Sequence, residues 1–161
     1  MTDVRPWAPV ELPALIAISA AATELFPAHG IHLPPDDPAE LLHAARAVLV
    51  AGTPPIGFAA LDELDGRAHL AEISVAPAHG RRGTGTALLT AACDWARDTG
   101  CPAITLTTFR AVPFNAPWYT ANGFTELPES RWGPELRAVW AAESAAGLGV
   151  AERIAMIRRL R

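Results

Sequence analysis

One segment limits what this chain can fold into more than any other: residues 71–89, AEISVAPAHGRRGTGTALL. Ile73 and Val75 alternate with Glu72 and Ser74 at the period of two that marks a half-buried strand. Pro77 lacks a ladder donor and ends the strand. A loop containing Gly80, Gly83 and Gly85 follows, and an apolar helix opens at about Thr84. Glycines let a ligand approach the backbone closely, and the first amides of a helix are unsatisfied and point outward. Strand, glycine turn and helix start together form an anion cradle, to which Arg81 and Arg82 add positive charge. The candidate phosphate-binding turn is thus Arg81, Arg82, Gly83, Thr84, Gly85 and Thr86, fed by a strand that carries an acid, Glu72.

Two phosphate loops of known mechanics fail here. A P-loop needs G-x-x-x-x-G-K-[ST], and the chain contains no lysine. A dinucleotide fingerprint needs G-x-G-x-x-G with an acid about twenty residues on. The order Gly80-x-x-Gly83-x-Gly85 reverses that spacing, and no acid ends a clear second strand. The segment instead resembles the signature of the GNAT superfamily of acyl-CoA-dependent N-acyltransferases: a strand ending V-x-P, then [QR]-x-x-G-x-[GA], then a helix opening x-A-L-L. Val75-x-Pro77, Gly83-x-Gly85 and Ala87-Leu88-Leu89 fit in register. Gly80 stands where the family usually has Gln or Arg, and Arg81 where a glycine usually follows. Arg82-x-x-Gly85-x-Ala87 satisfies the short pattern two residues later, but the first register is preferred because it keeps the V-x-P and A-L-L spacings.

A second motif falls some thirty residues on. Asn115-Ala116-Pro117-Trp118-Tyr119-x-x-x-Gly123-Phe124 resembles the family's N-x-x-[AP]-x-x-[FWY]-Y-x-x-x-G-F in compact form. The resemblance, which covers most of the chain, implies an α/β fold of mixed α+β character. It implies a central, mostly antiparallel sheet of about six to seven strands flanked by helices. Two adjacent parallel strands, ending at Val75 and Thr108, would splay to hold coenzyme A. By the same resemblance Ile73 and Val75 offer backbone contacts to pantetheine, Asn115 hydrogen-bonds the cosubstrate, and Tyr119 is the general acid that protonates the departing thiolate. The implied cosubstrate is acetyl-CoA, with no metal, and the implied acceptor is a primary amine of a small molecule or peptide.

The chemistry of that reaction asks for a base. Deprotonating a lysine-like amine at pH 7 costs roughly 4–5 kcal/mol, and an α-amine only about 1 kcal/mol. Glu72 is the candidate, acting directly or through water. A catalytically silent acyl-CoA-binding regulatory module is the competing reading, for which the unusual Gly80-Arg81 speaks.

The remaining sequence sets bounds. A chain of 161 residues, half apolar and 19% charged, suits a single domain over residues 1–161 with a sizeable core. A net charge of −4 argues against nucleic acid or an anionic membrane as partner. No leader pattern and no membrane-spanning apolar run are read, and a cytoplasmic monomer or homodimer is expected. In order, the pattern predicts a strand over 2–8 weakened to an edge by Pro6, a helix over 9–26, and a short helix capped by Asp37. Strands follow at 47–51, 56–61 and 68–75, the last two joined by Asp65-Gly66. A helix over 84–99 and a strand over 103–108 come next, then a short helix from Asn115 and a strand beginning near Thr125. A helix over 134–146 leads to a final strand over 152–160 at the sheet edge. Cys93 reads as a small core residue. His69 and His79 read as surface residues flanking the site, and His29, His32 and His43 show no metal spacing. Glu24, Asp36 and Asp37 could line an acceptor pocket, or a solvated loop.

Overall fold

The computed structural model describes residues 3–161. Among the described residues seven strands form one sheet in the order β1-β2-β3-β4-β5-β7-β6. They are β1 Val4–Pro6, β2 Ala47–Ala51, β3 Gly57–Leu64, β4 Arg67–Val75, β5 Ala103–Phe109, β6 Thr125–Glu126 and β7 Arg153–Arg159. Neighbours pair antiparallel except β4 and β5, which are parallel and joined through a helical crossover. The helices are α1 Leu12–Thr23, α2 Ala39–Ala44, α3 Thr84–Asp98, α4 Ala116–Ala121 and α5 Pro134–Ala145.

The layers follow from where the apolar side chains point. On α3, Leu88, Leu89, Ala92, Cys93 and Ala96 recur at helical spacing and are buried. They pack on Leu61, Leu70, Ile104 and Leu106 from one face of the sheet. On the other face, Leu15 and Ile18 of α1 and Leu42 of α2 cover Val48, Val50 and Phe58. Leu136 of α5 packs on Ala103, Ala155 and Ile157 further along. Fully burying a side chain such as Phe58 or Leu61 contributes about 1.5–3 kcal/mol, so the two faces hold α1 and α3 firmly on either side of β4.

Most element positions agree with the sequence pattern, with informative differences. The Asp65-Gly66 hairpin is present, with φ of 55° and 76° at its two central residues, the left-handed pair that a primed turn requires. The first strand spans Val4–Pro6 and lies at an edge; Thr2 lies outside the described residues. Asp37 caps α2 from one residue further out than expected: its Oδ1 accepts from the Ala39 amide at 2.9 Å. The final strand is not at the edge. β7 lies between β5 and β6, and the two-residue β6 is the edge. Ile154, Ala155, Met156 and Ile157 are buried in succession, the mark of a strand covered on both faces. By length and composition Pro9–His29 could cross a membrane, with mean hydropathy 1.4, where the sequence reading found no such run. Here it is divided into a 3-10 turn at Pro9–Glu11, α1, and a second 3-10 turn at Pro27–His29.

Candidate active site

The site begins where the sheet comes apart. β4 and β5 pair at only two rungs, Ala68 with Ile104 and His69 with Thr105. Beyond them the strands diverge, and a cavity of about 1060 Å³ opens between Leu70–Val75 and Leu106–Phe109. Diverging strands leave backbone donors and acceptors without a ladder partner, a ready template for an extended ligand. The vertex is tied by a buried contact: His69 Nδ1 lies 2.9 Å from Thr105 Oγ1. His69 is therefore not the surface residue the sequence suggested; it is 3% exposed. Burial lowers its imidazole to about 4, so it is neutral at ordinary pH.

A β-bulge decides which way Glu72 points. Leu61 of β3 pairs with Leu70, and the adjacent Ala60 pairs with Glu72, so Ala71 is an extra residue in β4. Before it, Ala68 and Leu70 face α3; after it, Ile73 and Val75 do. The alternation has slipped by one, and Glu72 is turned toward α1. There Ser19 Oγ donates to Glu72 Oε2 at 2.7 Å, and Ser74 Oγ donates to the same oxygen at 2.9 Å. Burial raises the Glu72 carboxyl above its ordinary value; the two serine hydroxyls oppose that rise, and Asp36 on the cavity wall adds to it.

Tyr119 comes from the other face. It sits on α4, packed in the α3 layer beside Trp118 and Phe124, with ring centroids 5.1 and 5.5 Å away. It is 6% exposed and lines the cavity, and its hydroxyl has no hydrogen-bond partner among the described residues. Burial first, and the nearby Glu72 carboxylate second, push the phenol well above its ordinary value. Glu72 and Tyr119 thus approach one another through the gap in the sheet, from opposite sides. Asn115, at the start of α4, also lines the cavity, and its Oδ1 is buried without a partner.

The glycine turn closes one end. Gly83 occupies the N-cap of α3 with φ of 81°, and no side chain caps the helix. The first backbone bond into the helix runs from the Ala87 amide to Gly83, so the amides of Thr84, Gly85 and Thr86 have no helical partner. Gly85 faces Trp118: a Cβ there would lie 3.5 Å from the indole and 3.9 Å from Val75. Arg81 adopts φ of 61°, a left-handed conformation that costs a non-glycine residue about 1–3 kcal/mol. Ile73, Val75, Arg81, Gly83, Gly85 and Thr86 line the cavity. Arg82 is exposed and Thr84 buried, and neither lines it. The Thr84 hydroxyl is buried with no partner.

Glu24, Asp36, Thr107 and Arg153 also line the cavity. Asp37 is spent on α2 and is not part of it. Thr107 Oγ1 donates to Glu143 at 2.8 Å, and Arg153, its side chain 5% exposed, pairs with the same carboxylate at 2.9 Å under the Trp140 ring. Neither this network nor Ser19 was read from the sequence. Among the described residues no group of three or more His, Cys, Asp or Glu could hold a metal ion.

A family model described as "Acetyltransferase (GNAT) family" matches residues 15–124. A sheet parted between two parallel strands above a glycine turn defines an acyltransferase of this type. The chain belongs to the GNAT acetyltransferase family. Solved structures share the fold at low identity. An N-acetylglutamate synthase from Neisseria gonorrhoeae, complexed with coenzyme A and N-acetyl-glutamate, matches with a TM-score of 0.76 and 19% identity. That match covers the whole of this chain but 35% of the other. A GNAT-family acetyltransferase from Staphylococcus aureus Mu50 matches over the full length of both chains, with a TM-score of 0.75 and 15% identity. The ribosomal-protein-S18-alanine N-acetyltransferase from Escherichia coli matches at a TM-score of 0.71 and 19% identity, over 99% of this chain and 94% of that one.

Proposed function

We propose that the chain transfers an acetyl group from acetyl-CoA to a primary amine of a small molecule or peptide, by direct attack of the amine on the thioester. One observation carries the reading: Glu72 and Tyr119 reach a single gap from opposite faces of the sheet, at the end of an uncapped glycine turn. Acetyl-CoA fits the residues present. The free amides of Thr84, Gly85 and Thr86, with Arg81 beside them, suit its pyrophosphate. The unpartnered Oδ1 of Asn115 suits an amide donor of the pantetheine arm. Ile73 and Val75 border the gap in which that arm would run as an added strand.

Glu72 then acts as the general base. Its raised carboxyl lies closer to the working pH than an ordinary glutamate, which favours proton uptake from an ammonium. Tyr119 holds the proton that the thiolate takes on leaving. Its raised phenol stays protonated at any ordinary pH, as a general acid must. Glu24 and Asp36 on the acceptor side favour an amine that arrives as a cation.

The test is a panel of amines with acetyl-CoA, following release of the CoA thiol. Alkyl amines should be acetylated, and Glu72→Gln should depress their turnover more than that of acceptors with low amine pKa. Equal losses for both acceptor types would remove Glu72 from the base role. Tight acetyl-CoA binding with no acceptor turned over would favour the silent binding module, to which the strained Arg81 in a glycine position points.

A further inference from the structure

The two serines on Glu72 divide its carboxylate. Ser19 and Ser74 come from different elements, α1 and β4, yet both donate to Oε2, at 2.7 and 2.9 Å. No group among the described residues bonds Oε1, and Glu72 borders the cavity. A carboxylate with both donors on one oxygen cannot rotate without losing a bond on each side, so its free oxygen has a fixed aim. Among the described residues α1 makes no other side-chain hydrogen bond to β4, and its Leu15 and Ile18 are core residues.

We propose that Ser19 is a positioning residue, which together with Ser74 ties up Glu72 Oε2 and presents Oε1 to the acceptor amine. The proposal rests on the reading of Glu72 as the base. The hydroxyls also favour the ionised carboxylate against the burial that opposes it. The other titratable groups on the surrounding walls are Glu24, His29 and Asp36 after α1, His79 and Arg81 in the glycine turn, Tyr119 on α4, and Glu143 paired with Arg153. Of these, Asp36 and Tyr119 couple to Glu72. Neither contacts Ser19 or Ser74 by hydrogen bond, so a serine substitution leaves them in place.

The experiment is a carboxyl ¹³C NMR titration of the whole chain, with the Glu72 resonance assigned by its loss in Glu72→Gln. Removing a donor to the charged form should raise the Glu72 midpoint by about 1 pH unit in Ser19→Ala and in Ser74→Ala, and further in the double variant. Ser19→Thr, which keeps the hydroxyl, should restore the original midpoint. A serine that merely anchors α1 would lower the melting temperature and leave the midpoint where it was, and that result overturns the proposal. Ser74→Ala leaves α1 untouched and keeps the test open if Ser19→Ala folds poorly. A kinetic arm judges the base reading separately, using the best amine from the acceptor panel. Glu72→Gln with undiminished turnover sinks the base, and the positioning role with it, whatever the titration reads. Loss of turnover in Glu72→Gln with an unmoved midpoint in both serine variants leaves the base standing and removes Ser19.

Discussion

Replacing Tyr119 by phenylalanine removes one hydroxyl and little else. The ring keeps its place against Trp118 and Phe124, and the hydroxyl takes no hydrogen bond from the protein with it. Stability should therefore stay within about 0.5 kcal/mol of the starting protein. Acetyl-CoA affinity by calorimetry should be nearly unchanged. Turnover should fall, because the departing thiolate loses its proton donor. General-acid assistance is typically about 10²–10⁴-fold, which corresponds to about 3–5 kcal/mol of barrier. The loss should lie toward the lower end: a thiol with an ordinary pKa of about 8.5 can leave as an anion, so protonation helps without being indispensable. A donor thioester with a more acidic thiol should narrow the gap between variant and parent. Burial and Glu72 both hold the phenol protonated, so the parent should show no alkaline fall in kcat from Tyr119 up to about pH 10. The assay is CoA thiol release at saturating donor and acceptor, with single-turnover traces to make chemistry limiting. Unchanged kcat under those conditions refutes the general-acid role, and a collapse of acetyl-CoA affinity would make Tyr119 a binding residue.

Two other sites give sharp expectations. Gly83→Val forces a branched residue into φ of 81°, and Gly85→Val drives its methyls onto the Trp118 indole; each should weaken acetyl-CoA binding tenfold or more by calorimetry. Wild-type affinity in both variants would remove the turn from the site. His69 is neutral in the fold, and its imidazole falls from the ordinary 6.5 to about 4. The unfolded chain therefore takes up a proton first, and stability that is complete above pH 6.5 drains away toward pH 4, by about 3 kcal/mol. Urea unfolding of His69→Asn at pH 7, 5 and 4 should lack that component of acid sensitivity. An unchanged pH slope would mean that His69 is not held buried and neutral in the fold.

Much of this site was legible because its devices are local. The strand, the glycine turn and the start of α3 lie within residues 71–89, and α4 with Asn115 and Tyr119 lies within one short motif. The bulge was also written in the chain. Ala68 and Leu70 are apolar on even numbers and Ile73 and Val75 on odd ones, with the slip at Ala71. What the sequence hid depends on elements far apart. Ser19 matters only because α1 crosses β4 at Glu72, 53 residues later. The Thr107–Glu143–Arg153 network joins three elements in the same way. His69 sits at a position where strand alternation alone would allow a solvated residue, and only the covering layer makes it a buried one. The placement of β7 inside the sheet was readable from its unbroken apolar run, Ile154 to Ile157.

The slip at Ala71 also governs how this site can change. Substitution at position 72 alters what chemistry the strand carries but leaves untouched the side on which it is carried. Moving the acid across the sheet requires Ala71 to enter the ladder and the pairing with β3 beyond it to slip by one residue, which would at the same stroke exchange Ile73 and Val75 for Ser74 against the α3 layer. The base and the border of the acyl-donor channel are therefore inherited as one unit. A transplant of Glu72 onto a straight strand would deliver the right carboxylate to the wrong side, and the portable element is the seven-residue stretch Leu70–Ala76 with its extra alanine.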